Sequence, residues 1–269
     1  MAITAAQVKE LRDKTGIPMM KCKKALQEAD GDIDAAIEIL RKQGLETASK
    51  KAGRATAAGG IGIAINDSAG VLVSVACETD FVSSNEEFKA YVQRVADVAL
   101  ESGASDIDAL AQADMGGQTV AEGLTALIAK LGENMKLVDI KRLEGAGIVS
   151  YSHGGRIATL IAGSGDEEAR RHVAMHVAAA NPPAAAFSRD EVDAAMLERE
   201  RQVIASSDEV MAKPEAIREK IVEGKLGRFY KEQVLLEQDM LLYNDDNLSV
   251  EKWAAGKGVK LHGFLRMDV

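Results

Sequence analysis

The segment GIGIAINDSAGVLVSVACETDFVSSNEEFKAYVQRVADVAL, residues 60–100, decides the fold. Ile61, Ile63 and Ile65 alternate, Asp67 to Gly70 supply a turn, and Val71, Val73 and Val75 alternate again. Period-two alternation on both sides of a turn is the pattern of a β-hairpin. Phe88, Tyr91, Val92, Val95 and Ala99 then fall at helical spacing behind a Ser84–Glu87 capping box. The segment therefore reads as a hairpin followed by an amphipathic helix.

The pattern recurs in GAGIVSYSHGGRIATLIAGSGDEEARRHVAMHVAAA, residues 145–180. Ile148 opens a strand, Gly154-Gly155 makes the turn, and Ile157, Thr159 and Ile161 continue. Asp166 precedes a helix with Ala169, Val173, Val177 and Ala180 on one face. Residues 134–143 supply a further strand to the first unit and residues 259–267 one to the second. Two related α/β core subdomains with small antiparallel sheets follow, an α+β fold class.

Ahead of them lies a basic head. Residues 1–56 carry eleven Lys+Arg against eight Asp+Glu, a net of +3. The remainder carries 22 against 34, a net of −12. Thr4 and Gln7 form a capping box, with Ile3 and Val8 as a hydrophobic staple and Gly16 as the stop. Pro18 starts a second helix whose buried stripe is Met19, Cys22, Leu26 and Ala29. Asp32 caps a third helix with Ile33, Ala36, Ile37 and Leu40 on one face. Three helices in about 45 residues make a minimal bundle of the ubiquitin-associated type, a fold suited to binding. Met20 falls off the stripe, beside Lys23, Lys24 and Gln27. A solvated face with one stray Met and a contact surface for an acidic partner both fit it. The stretch 44–60 is small, polar and basic and reads as a linker, its first half able to extend the third helix. Gly53, Gly59 and Gly60 mark the break.

A helical hairpin interrupts the second subdomain. Ser188 and Glu191 form a capping box, Phe187 and Val192 a staple, and Val192, Met196, Arg199 and Val203 the narrow seam. Residues 206–213 break the pattern, and Pro214 starts a helix with Ile217, Ile221 and Val222. Such a hairpin reads as a coiled coil for contacts or self-association. The domain boundaries are then 1–54 for the head, 55–143 for the first core subdomain, 144–187 with 230–269 for the second, and 188–229 for the hairpin.

Composition narrows the function classes. The chain has 269 residues, 46% apolar and 28% charged, which is ordinary for a globular protein. Its net charge of −9 and 4% aromatics argue against a general nucleic-acid binder or a base-stacking platform. Two cysteines, Cys22 and Cys77, exclude a disulfide framework and suit a reducing compartment. No apolar run reaches the ~18 residues that span a bilayer, and the first twenty residues lack a secretory pattern. A cytoplasmic protein is expected.

Catalytic constellations are sparse. There is no phosphate-binding G-x-x-x-x-G-K-[ST] loop and no G-x-S-x-G context. His172 and His176 stand at i, i+4, but without H-E-x-x-H or a third ligand they read as neighbours of an apolar stripe. No metal and no cofactor is expected. A metal-dependent hydrolase on that pair and an RNA-binding adaptor on the basic head are the alternatives. The loop CETDFVSSNEEF remains. Its Thr79-Asp80-Phe81-Val82 has two readings: Phe81 tucked under the helix with Asp80 as a cap, or an outward probe.

Four segments carry a family resemblance: VKELRDKTGIPMMKCKKAL at 8–26, GDIDAAIEILRKQG at 31–44, ETDFVSSNEEF at 78–88, and HGGRIATLIAG with HVAMHVAAANP at 153–163 and 172–182. In order, spacing and total length the sequence resembles the bacterial elongation factor Ts family, the guanine-nucleotide exchange factors of elongation factor Tu. The resemblance implies no enzymatic step. It implies a partner, elongation factor Tu with GDP and then without nucleotide, and no membrane or direct nucleic-acid binding. It gives Asp80 and Phe81, flanked by Thr79 and Val82, the role of entering the partner's GTPase domain beside its magnesium site. It gives Met19, Met20 and Lys23 a contact with the same domain, and His153 a contact with the partner's third domain. Longer members of the family continue past the closing strand into a further helix; the chain ends at Val269, just after GFLRMDV.

Overall fold

The computed structural model describes residues 3–269, which form two compact units. The first runs to Ala64 and resumes at Val71–Lys141 and Asp268–Val269. The second comprises Ile65–Gly70 and Arg142–Met267.

The first unit opens with three helices, α1 (Ala5–Thr15), α2 (Met19–Glu28) and α3 (Ile33–Lys51). The capping box at Thr4 is present: Gln7 N–H donates to Thr4 Oγ1 at 3.3 Å, and Thr4 N–H donates to Gln7 Oε1 at 3.0 Å. Gly16 closes α1 at φ 65°, and Asp32 caps α3 by accepting from Ala35 N–H at 2.8 Å. Val8, Leu11, Cys22, Ala25, Leu26, Ala36 and Leu40 form the buried core. Cys22 is structural: it is fully buried and its thiol donates to Ile17 O at 3.2 Å. Met19 departs from the expected stripe. It is 50% exposed, and Ala25 takes the place in the core beside Cys22 and Leu26. At the first helical position there is no preceding turn for Met19 to pack on.

The expected linker is much shorter than 44–60. Helix α3 runs to Lys51 and strand β1 (Ala58–Ile65) takes up the chain, leaving 52–57 as the connector. Gly59 and Gly60 lie inside β1. Strand β2 (Ala69–Cys77) follows, then α4 (Asp80–Ser83), α5 (Glu86–Ser102), α6 (Ile107–Gln112), α7 (Val120–Leu131) and β3 (Met135–Glu144). The sheet order is β1-β2-β3. Val71, Val73 and Val75 pack into one cluster with Phe88, Val92, Val95 and Ala99 of α5. The β1 face in that cluster carries Ala58 and Ala64, not the isoleucines; Ile65 is 36% exposed. Glycines explain the choice. A Cβ on Gly60 would sit 3.1 Å from the Phe88 ring, and one on Gly62 would collide with the Val92 carbonyl. Helix and strand approach so closely that only the small-residue face fits between them. The central strand β2 is buried along all nine residues.

Helices α6 and α7 fill 103–131, where the sequence pattern above assigns no element. Helix α7 carries a signal that finds it: Thr119 and Glu122 make a full capping box. The N-terminal helices pack on this helix. A Cβ on Gly44 would lie 3.3 Å from Ala129 Cβ, Arg41 pairs with Glu122, and Lys21 Nζ donates to Ala129 O at 3.1 Å. Lys51 donates to Gly132 O, so two lysines satisfy carbonyls at the negative end of α7. Lys51 and Arg54 are thus both engaged within the chain, since Arg54 also faces Glu78.

The second unit repeats the hairpin and helix. Strands β4 (Val149–His153) and β5 (Ile157–Ser164) pair antiparallel, with His153 opposite Ile157 and Val149 opposite Ile161. Helix α8 (Glu167–Ala179) follows, capped by Asp166, which accepts from Ala169 N–H at 2.7 Å. Next come α9 (Ala194–Ala205), α10 (Asp208–Met211), α11 (Glu215–Gln233), α12 (Val250–Gly256) and β6 (Lys260–Asp268). The second sheet has the order β4-β5-β6, so the chain carries two small antiparallel three-stranded sheets in an α+β fold. Trp253 of α12 packs with Val149, Ile161, Val173, Val177 and Leu235 in this core.

The helical hairpin differs from expectation at its start. Residues 189–191 form only a 3-10 turn, and Asp193, not Ser188, caps α9 by accepting from Met196 N–H at 2.8 Å. The seam shifts with it. Ile204, Val210, Val222 and Leu226 are buried, with Leu197 and Ile221 against them, whereas Met196 and Val203 are exposed. Arg201 bridges to Glu219 at 3.1 Å and to Glu223 at 2.6 Å. These pairs are exposed, so solvent screening and side-chain entropy leave them little net stabilisation.

Candidate functional site

Where the sequence suggests a loop, residues 79–83 form one turn of helix. Thr79 holds an extended backbone and caps α4, accepting from Val82 N–H at 3.4 Å. Ser84 ends α4 instead of starting the next helix, and Asn85 caps α5 by accepting from Glu87 N–H at 2.8 Å. The predicted Ser84–Glu87 box is therefore replaced by two consecutive caps, Thr79 and Asn85.

This arrangement decides between the two readings of the turn. Val82 is buried and anchors α4 to the first core. Phe81 is 84% exposed, more than any other large apolar side chain among the described residues. Asp80 is exposed beside it, and its carboxylate has no partner among the described residues. Phe81 does not tuck under the helix, and Asp80 caps nothing. An unburied Phe retains most of the roughly 1.5–3 kcal/mol that burial of such a side chain supplies.

The turn is tied down from behind by residues no local pattern signals. Glu133, just past α7, accepts from Thr79 N–H at 3.0 Å and from Thr79 Oγ1 at 2.7 Å. Asn134 N–H donates to Glu78 at 2.6 Å, and its buried side chain donates to Arg54 O at 2.8 Å. That backbone donor, more than the nearby Arg54 and Lys51 charges, holds the Glu78 carboxyl below its usual pKa. The partners lie more than fifty residues apart in sequence, so only the fold brings them together.

The other expected contact residues occupy separate places. Met19, Met20 and Lys23 are all exposed on α2, Met20 to 65%, and Lys23 has no ion pair among the described residues. His153 belongs to the second unit, exposed at the end of β4, with its Nδ1 3.2 Å from Tyr151 Oη. The histidine pair on α8 is not a chelating pair. His176 is buried and both its ring nitrogens are engaged: Leu241 N–H donates to Nδ1 at 3.2 Å, and Nε2 lies 3.0 Å from Gln238 Oε1. His172 stacks on Tyr243 with ring centroids 4.3 Å apart.

Comparison with known proteins identifies the family. A family model described as elongation factor TS matches residues 78–269. The chain is 45% identical to the elongation factor Ts of Ruegeria pomeroyi and 46% identical to that of Dinoroseobacter shibae. Both alignments cover all of this chain and 93% of the relative. The elongation factor Ts of Psychrobacter cryohalolentis is 42% identical over 99% of this chain and 90% of its own. With the outward Phe81 and the two hairpin–helix units in place, the chain belongs to the elongation factor Ts family.

Proposed function

We propose that this chain binds elongation factor Tu in its GDP form, disturbs the magnesium site of that partner and promotes GDP release so that GTP can enter. Membership of the elongation factor Ts family implies nucleotide exchange on elongation factor Tu. The observation that carries the finer reading is Phe81, a large apolar side chain held outward on a turn whose neighbour Val82 is anchored in the core.

The physics is that of a wedge. In the partner, Mg²⁺ bridges nucleotide phosphates and offsets their charge, so displacing it weakens nucleotide binding. Phe81 buries its ring between partner elements and stabilises the conformation that holds Mg²⁺ poorly. Asp80, unpaired among the described residues, is free to act on the ion's water shell or on a displaced partner group. Met19, Met20 and Lys23 add a second contact, adaptable thioethers beside a cation, and His153 a third. The mechanism needs no covalent step, no cofactor in this chain and no enzymatic group. A translation factor of this kind works in the cytoplasm; no described helix is long and apolar enough to cross a membrane.

Coupling between nucleotide and factor is reciprocal. If the chain weakens GDP binding a thousandfold, about 4 kcal/mol, GDP weakens binding of the chain by the same factor. Calorimetric titration into nucleotide-free and GDP-loaded partner tests this directly. Tighter binding to the nucleotide-free form supports the reading, and equal affinities overturn it.

A further inference from the structure

A helix of four residues does not hold its own direction, because a single turn fixes many dihedral angles for one or two hydrogen bonds. The direction of Phe81 must therefore come from outside α4. Glu133 is placed to set it. Both carboxylate oxygens of Glu133 receive Thr79, one from its N–H and one from its hydroxyl. The hydroxyl has one proton, and that proton is directed at Glu133. Its lone pairs are then left facing the turn, where Val82 N–H donates. Glu133 thus orients the group that caps the helix bearing Phe81. The Asn134–Glu78 bond runs in the opposite sense one residue away, so segments 78–79 and 133–134 are cross-bonded in both directions.

We infer that Glu133 is a positioning residue for exchange, acting through Thr79 to hold Phe81 in its outward direction. The inference rests on the wedge reading of Phe81 given above. Glu133 is only half-buried and adds nothing to the apolar core, so its removal leaves the fold in place and loosens the turn. A hydrogen bond to a charged group is the strong kind, and the two here, at 3.0 and 2.7 Å, are made by one residue.

Two measurements on the full chain test this. In stopped-flow release of fluorescent GDP from elongation factor Tu, Glu133→Ala is expected to slow stimulated release about tenfold, and Glu133→Gln, which keeps one acceptor for Thr79 N–H, by less. In a Phe81→Ala background the same Glu133→Ala change is expected to add less than twofold, because its action passes through Phe81. A wild-type rate for folded Glu133→Ala, or a full tenfold loss added to Phe81→Ala, overturns the inference. Amide hydrogen exchange supplies a readout independent of the partner. Val82 N–H in Glu133→Ala is expected to exchange at least tenfold faster, with β2 amides unchanged; unchanged protection at Val82 overturns the positioning role of Glu133. If Phe81→Ala alone leaves release unaltered, the wedge reading fails, and the amide measurement still decides the role of Glu133.

Discussion

Phe81 and Val82 are adjacent in sequence and opposite in burial: the first is 84% exposed and the second 8%. One residue anchors the turn while the next is presented to a partner. Phe81→Ala should therefore cost little stability, within about 0.5 kcal/mol as for other surface changes, while slowing stimulated GDP release at least tenfold. Parallel urea unfolding and stopped-flow measurements check both halves. A large loss of stability would mean that Phe81 supports the fold.

The α2 surface makes a separate prediction. Met20 is 65% exposed and Lys23 has no internal ion pair among the described residues, so neither is needed by the bundle. Met20→Glu places a charge where an apolar contact is proposed, and burying an unpaired carboxylate against a partner is costly. The dissociation constant for elongation factor Tu should rise about tenfold with the melting temperature unchanged. An unaltered constant by calorimetry would return Met20 to the solvated face.

Stability should depend on pH through His176. Burial pushes its pKa below the ordinary 6.5, and the Gln238 hydrogen bond opposes this only in part. The unfolded chain then takes up a proton near pH 6.5 while the folded chain does not, so stability falls as pH drops from 7 through 6.5 towards the folded-state value. Exposed carboxylates titrate mainly below about pH 5. The urea midpoint should decline between pH 7 and 5.5 in the wild type and stay nearly flat in His176→Gln. Equal slopes in the two proteins would contradict the assignment.

Close helix–strand approach predicts the behaviour of Gly62. An added methyl reduces the freedom of the unfolded chain, worth about 0.4–1 kcal/mol in favour of folding. It also collides with the backbone of α5, an overpacking effect of about 1–3 kcal/mol. The collision is larger, so Gly62→Ala should lower stability in urea titration. A stabilised variant would mean that β1 and α5 are not in tight contact.

Much of this architecture is legible in the sequence because the signals are local. The Thr4–Gln7 capping box, the Gly16 stop, Pro18 before α2 and Pro214 before α11 each act within one turn, and each stands where it is read. Both hairpins follow from alternation and turn residues. Choices between neighbouring candidates fail, because tertiary packing makes them. Asn85 wins over Ser84 as the cap of α5 since Ser84 is already the last turn of α4. Gly60 and Gly62 turn the small face of β1 towards α5, although Ile61, Ile63 and Ile65 carry the hydrophobic pattern. On α9 the seam follows Leu197 and Ile204 rather than Met196 and Val203, a shift of one position that only the α11 partner fixes. In the candidate site, the motif points to Asp80 and Phe81, but the burial of Val82 and the Glu133 bond to Thr79, 54 residues away, come from the fold and not from the local pattern.

The central claim is tested most directly by mixing the purified chain with elongation factor Tu carrying fluorescent GDP and following release in excess unlabelled nucleotide. The account predicts that release accelerates with the concentration of the chain, that excess free Mg²⁺ opposes the acceleration, and that Phe81→Ala removes most of it. Release at the spontaneous rate at every concentration of folded wild-type chain would contradict it.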